Sequence, residues 1–439
     1  MDTVSQLSRA LAAGRSTSVA HTEATLQRIA QRQPQLNAYL HVDAAGARQA
    51  ALQSDARRAQ NQCLGPLDGI SFAVKDNIDV AGLPTTAGMA TRRGRVATED
   101  AFVVQQLRAA GMVLLGKLNM HEAALGATND NPHYGRCVNP LRAGFTPGGS
   151  SGGSACAVAA ELCALALGSD TLGSVRIPAA YCGVVGFKAS FGLISTRGSV
   201  ACGPALDHIG PLVRSLADLA LVMPTLAAYD PACVDARRVP AMPAHARPRF
   251  VAARDIADFG ASAEVVAAYA AAVRALHNAG YEVTEISLAG YAFSKRRRAA
   301  LLLVEADLLV EHAADWARQP HNFSPELTKL LRYADKQPAV AYAAALREVA
   351  GAHAEVARWW QFGDLMLLPT APQTAFAFDT VVPANQADFT AIASMAGVPA
   401  LSLPLPCAAG ALPVGLQCIA PIGHEATLLA LDMKGVVAA

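Results

Sequence analysis

The chain has 439 residues, of which 52% are hydrophobic and only 16% charged, with a formal net charge of +1. That balance fits a large buried core under a modest surface and supplies no basic field for nucleic acid. The nine cysteines include no Cys-x-x-Cys pair, and several lie in apolar runs, so they read as reduced, buried thiols.

In chain order, the first 60 residues read as helical: Leu7, Leu11, Ala20, Ala24, Leu26 and Ile29 mark apolar faces, and 45–59 continues the pattern. The run Ile70-Ser71-Phe72-Ala73-Val74 reads as a buried strand ending at Lys75-Asp76-Asn77. A helix over 103–110 and a strand over 112–115 follow. Residues 128–154, rich in Gly, Asn, Pro and Ser, form a long irregular segment of the kind that often carries function. A helix over 153–165 leads to a strand and a second Gly-rich turn, 168–174. Four prolines between Pro231 and Pro248 mark a linker. Beyond it, strands are expected over 250–253, 281–286, 364–368, 400–405 and 413–419, with helices over 263–279, 296–316 and 338–360. Lys295 to Arg298, the one charge run that stands out, reads as a solvated helix face. Alternating helices and strands point to an α/β layered fold. The apolar stretch 155–167 is too short for a membrane span, and no secretory leader is visible, so a cytoplasmic protein without membrane contact is expected.

The most informative stretch is Pro147-Gly148-Gly149-Ser150-Ser151-Gly152-Gly153-Ser154-Ala155. Composition alone suggests a flexible linker, but this run leads straight into an apolar helix. The pattern Gly148-x-Ser150-x-Gly152 fits a nucleophile elbow, yet Gly144 and Pro147 argue against the central strand that an elbow requires. A phosphate loop fails because no Gly-Lys-Ser/Thr follows. The pairs His121-Glu122 and His424-Glu425 suggest zinc, but Leu125 and Leu428 stand where a second histidine would be needed, so no metal or cofactor is expected.

The span from Gly148 to Ala179 resembles the amidase signature family: Gly-Gly-Ser-Ser-Gly-Gly-Ser, a 24-residue step from Ser150 to Ser174, and the ending Gly173-Ser174-Val175-Arg176-Ile177-Pro178. Ala73-Val74-Lys75-Asp76, Cys182 to Lys188, Leu206 to Pro211, Pro369 to Pro372 and Pro413 to Gln417 are similar to further family motifs. The resemblance implies a large mixed sheet, mostly parallel at its core, covered by helices on both faces. It makes 1–439 a single domain, with a helical segment at 1–60, a catalytic core at 66–228, the linker at 229–248 and a second α/β part at 249–439. It also implies that Ser174 is the nucleophile of an amidohydrolase for linear amides and Lys75 the general base. Ser150, following a cis peptide bond, bridges them. Backbone N–H groups of Thr171, Leu172, Gly173 and Ser174 would hold the oxyanion. Ser151, Ser154, Asp170 and Arg176 are supporting residues. Leu172 stands where many members have glycine, so it is also a candidate substrate contact.

The runs His133-Tyr134-Gly135, Ser195 to Ser199 and Leu206-Asp207-His208 look closest to members that hydrolyse carboxybiuret and related ureido acids. Asn129 and Tyr134 are then expected near the pocket, and Arg347 is a candidate partner for an anionic substrate. The ammonia-producing A subunits of amidotransferases, which release ammonia for a partner, are similar in the same motifs. A catalytically dead binding protein is the third reading, and intact Lys75, Ser150 and Ser174 oppose it. The family usually has a longer terminal helix after the His424-Glu425 segment. A homodimer, or a small accessory subunit covering that edge, is therefore expected, with no direct contact to nucleic acid.

Overall fold

The computed structural model describes residues 2–438. Its strands are β1 Tyr39–Val42, β2 Ser71–Lys75, β3 Val113–Leu118, β4 Leu165–Asp170, β5 Val185–Lys188, β6 His208–Val213, β7 Phe250–Ala253, β8 Val283–Ile286, β9 Leu365–Pro369, β10 Ala400–Pro404 and β11 Gly415–Ile419. They form one sheet in the order β1-β3-β2-β4-β6-β5-β10-β11-β9-β7-β8. The sheet is mixed, as expected, but its parallel pairing differs from the expected core. Parallel pairs form two blocks, β3-β2-β4 and β9-β7-β8. The middle, from β4 through β6, β5, β10 and β11 to β9, is antiparallel. Short returns such as that from β10 to β11 need no crossover helix, so neighbouring strands in the centre can run antiparallel.

The period of two in a strand sends alternate side chains to opposite faces. Phe72, Val74, Leu114, Leu165 and Leu167 join one buried cluster, with Val4, Leu7, Val103, Leu107 and Leu219 from the helices on that face. Ala73, Val113, Leu115 and Ala166 join another, against Leu26, Ile29, Ala47, Ala51 and Ala155 to Val158. Both faces are covered, so these strands read as continuous apolar runs without polar alternation.

Several boundaries differ from expectation. The first 60 residues hold helices Val4–Ala12, Ser18–Leu36 and Ala44–Ala59, but β1 lies between the last two. Asn37 in the left-handed region (φ 48°) ends the preceding helix and turns the chain into the sheet. The helix after the serine run is Gly152–Ala159, well short of 165. The apolar run continues, but from Leu165 it is strand, a distinction that hydrophobicity alone cannot make. The strands β5 and β6 and the helix Pro325–Asp335 were not expected. Residues 228–249 hold neither helix nor strand. The Lys295–Arg298 run lies on helix Phe293–Glu311 and is only partly solvated: Lys295 is exposed, whereas Arg296 and Arg297 are largely covered. Lys295 and Arg296 pair with Glu348, Arg297 with Asp388, and Arg298 with Glu305. Among the described residues no helix is long and apolar enough to cross a membrane.

Candidate active site

Parallel pairing of β2 with β4 brings their C-terminal ends together, with Val74 opposite Leu167. Lys75, the last residue of β2, therefore lies beside Ser169 near the end of β4. Its Nζ donates to Ser169 Oγ at 2.8 Å and to Ser150 Oγ at 2.7 Å. Lys75 is fully buried, and that burial pulls its pKa down to about 7, against the weaker opposing effects of Cys202, Asp207 and Asp170. Asn77 Nδ2 donates to Ser169 Oγ at 3.1 Å, which fixes the lysine's second partner.

Ser150 stands at the approach to helix Gly152–Ala159, and the Gly149–Ser150 peptide bond is cis. The glycines here allow close backbone approach. A Cβ on Gly153 would sit 2.3 Å from the Asn119 carbonyl oxygen, so this packed run cannot be a linker. Ser151 Oγ donates to the Ser169 carbonyl at 3.1 Å and accepts from its N–H at 3.2 Å, and Ser151 N–H donates to the Ser174 carbonyl at 3.2 Å. Ser154 Oγ donates to the Leu167 carbonyl at 3.0 Å. These two serines tie the helix to β4 and to the following turn.

That turn, Thr171 to Ser174, is held at several points. Thr171 Oγ1 donates to Asp207 Oδ1 at 2.6 Å, and Thr390 Oγ1 donates to the Leu172 carbonyl at 2.6 Å. Gly173 adopts φ 139°, and a Cβ there would lie 2.1 Å from Thr390 Oγ1. The N–H groups of Leu172, Gly173 and Ser174 have no acceptor among the described residues. Behind the turn, Arg176 grips Asp170 through Nη2–Oδ1 at 2.8 Å and Nε–Oδ2 at 2.9 Å, both side chains fully buried. Burial would raise the Asp170 pKa, but the Arg176 guanidinium outweighs it and holds the carboxyl well below the usual range. Arg176 also donates to Gln417 Oε1, the Thr390 carbonyl and Ser394 Oγ, joining β4 to the far part of the sheet. Replacing Arg176 with Ala strands a buried carboxylate, so a loss of about 3–5 kcal/mol of stability is expected in urea unfolding.

Ser174 is half-buried and lines a cavity of about 390 Å³ together with Thr171, Leu172 and Gly173. Most of the remaining wall is apolar, including Leu125, Ile177, Leu301, Val304 and Leu330. Its charged members are Arg297, Glu305 and Glu326. Three expected substrate contacts stand apart from this cavity's lining. Asn129 is fully buried beneath the serine helix, where its Oδ1 accepts from Gly152 N–H at 3.2 Å. Tyr134 packs under Arg93, 5.4 Å from its ring centroid, and its hydroxyl donates to the Met89 carbonyl at 3.4 Å. Arg347 points to solvent from helix Ala339–Trp359. None of the three lines the cavity, whereas Leu172 does. Arg297 is the wall arginine, hidden in a run that sequence reasoning assigned to the surface. Ser169, Asn77 and Thr390 were also missed. The parallel register of β2 and β4 brings Ser169 to Lys75, and no local motif marks that register.

The amidase family model matches residues 20–429. The A subunit of the glutamyl-tRNA(Gln) amidotransferase of Chloroflexus aggregans is 36% identical, covering 97% of this chain and 94% of the relative. A solved structure described as an unexpected vestigial protein complex, revealing the evolutionary origins of an s-triazine catabolic enzyme, superposes with a TM-score of 0.91. It is 32% identical over 99% of this chain and 98% of that one. Native peptide amidase from Stenotrophomonas maltophilia gives a TM-score of 0.84 at 29% identity, covering 98% and 95% of the two chains. With a family match across most of its length and a relative of this similarity, the chain belongs to the amidase family.

Proposed function

We propose that this protein hydrolyses a C–N amide bond with Ser174 as nucleophile, Ser150 as relay and Lys75 as general base. The observation that carries this reading is a lysine with its pKa near 7, buried 2.7 Å from Ser150 Oγ and close to a cavity-lining serine turn. A serine hydroxyl needs a base to attack an amide at neutral pH. Neutral Lys75 accepts the Ser150 proton as Ser150 takes the proton of Ser174. Ser174 Oγ then bonds to the carbonyl carbon. The oxyanion is held by the free N–H groups of the turn, Leu172 to Ser174, with Thr171 N–H as a further candidate. Collapse breaks the C–N bond as the proton passes back through Ser150 to the leaving nitrogen. Water, deprotonated by the same route, hydrolyses the acyl-Ser174 ester. Ser151 and Ser154 support the serine helix, and Asp170 and Arg176 hold the turn.

The test is ammonia release from a panel of small primary amides and ureido acids, with Ser174→Ala as the blank. Release by the native chain alone supports the reading; equal release by the variant, or none from any substrate, contradicts it.

The similarity to the A subunit of an amidotransferase favours a second reading, in which ammonia released from glutamine passes to a partner protein. Glutamine belongs in the same panel. Activity that appears only in native extract fractions containing a bound partner would favour this second reading, or a need for an accessory protein. An enzyme active as a homodimer would not.

A further inference from the structure

We propose that the preferred substrate is an amide carrying a second, positively charged amine, received by Glu305 and Glu326 in the wall of the cavity that the serine turn also lines. The inference rests on the amide-hydrolase reading and supplies its substrate class.

The wall holds one arginine and two carboxylates. The charge of Arg297 is already engaged by Asp388. Glu305 is fully buried on helix Phe293–Glu311 and meets Arg298 through Oε2, while its Oε1 is buried without a hydrogen-bond partner. A buried carboxylate oxygen left unpaired is costly, and an incoming N–H donor would satisfy it. Glu326 makes no ion pair among the described residues and stands exposed on helix Pro325–Asp335, where it lines the same cavity. Burial pushes the Glu305 carboxyl above its ordinary range against the pull of Arg298, and Glu326, exposed at its edge but partly covered at the cavity, is raised by that cover and by Asp130 and Glu122, against Lys329. A bound cation would reverse that. An anionic ureido acid would meet the unpaired Glu326 and the unpartnered Oε1 of Glu305, while Arg297 is already paired with Asp388. The apolar Leu301, Val304 and Leu330 suit a short methylene chain between the amide and the amine.

The experiment is calorimetric binding to the Ser174→Ala chain, so that turnover does not interfere. The probes are ω-aminoalkanamides of graded length, each with a neutral alkanamide and an ω-carboxyalkanamide of matched length. At the best length the amine is expected to bind at least about tenfold tighter than its neutral partner, with the carboxylate weakest. Glu326→Gln should cut the amine-over-neutral ratio about threefold or more, and Glu305→Gln should do the same. Glu326 is exposed, so its variant remains informative if loss of the Arg298 pair unfolds the other. Carboxylate binding equal to the amine's, no preference for the amine at any length, or no binding at all would overturn the inference. Ammonia release by the native enzyme from the neutral alkanamides would meanwhile leave the amidase reading standing.

Discussion

Ser174→Ala is expected to lower kcat for amide hydrolysis by about 10⁴-fold or more while leaving the unfolding midpoint almost unchanged. The side chain lines the cavity half-exposed, and its backbone carries the structural bond, donated by Ser151 N–H to the Ser174 carbonyl. Removing only Oγ therefore removes the nucleophile and leaves the turn's supports through Thr390, Asp207 and Arg176 intact. Steady-state ammonia release and thermal unfolding, measured on one preparation, separate the two effects. A variant retaining a tenth of native kcat would mean that another group attacks the carbonyl.

Lys75→Met is expected to cost about 10³-fold or more in kcat/KM, since a positioned base contributes on the order of 10²–10⁴ and the relay through Ser150 also loses its partner. In the native enzyme kcat/KM should rise with pH along a limb with an apparent pKa near 7, because only the neutral amine can accept a proton. Stability follows with a defined sign. The folded pKa, about 7, lies below the ordinary lysine value of 10.5, so between these the unfolded chain binds more protons than the folded one. The contribution of Lys75 to stability therefore improves as pH rises from about 7 toward 10.5. The stability advantage expected for the apolar methionine should shrink over the same interval. Parallel pH dependences of the two proteins in urea titrations would mean that Lys75 is not buried as an amine of low pKa.

Much of this architecture was legible locally. The strand ending at Lys75, the strands after the Pro-rich segment and the serine-rich helix start are written in short apolar runs and their polar ends. What escaped was set by distant pairing. The strand β1 is only four residues and follows a helix whose proline, Pro34, lies inside its last turn and whose stop is Asn37, not a glycine. The strand β5 lies inside, and β6 overlaps, motifs noted for their resemblance, not for strand periodicity. The antiparallel centre depends on which strands meet, and composition does not encode that. At the site, the resemblance named Lys75, Ser150 and Ser174, which remain the proposed triad, whereas the cavity wall includes residues of the helices at 293–311 and 325–335 that no motif marked. There a charge run looked solvated because its acids, Glu348 and Asp388, lie 52 and 91 residues from Arg296 and Arg297. Arg347 illustrates the converse: a candidate partner for an anionic substrate, it is exposed on its helix and does not line the cavity.

The most direct test of the central claim, that Ser174 carries the acyl group, is to trap the intermediate. The native enzyme would be mixed with a slowly hydrolysed amide or its ester analogue, acid-quenched, digested and mapped by mass spectrometry. The expected result is an acyl mass on Ser174, lost in Ser174→Ala and depleted when the enzyme is mixed at a pH well below 7. Acylation of Ser150 or another side chain, with Ser174 unmodified under turnover, would contradict it.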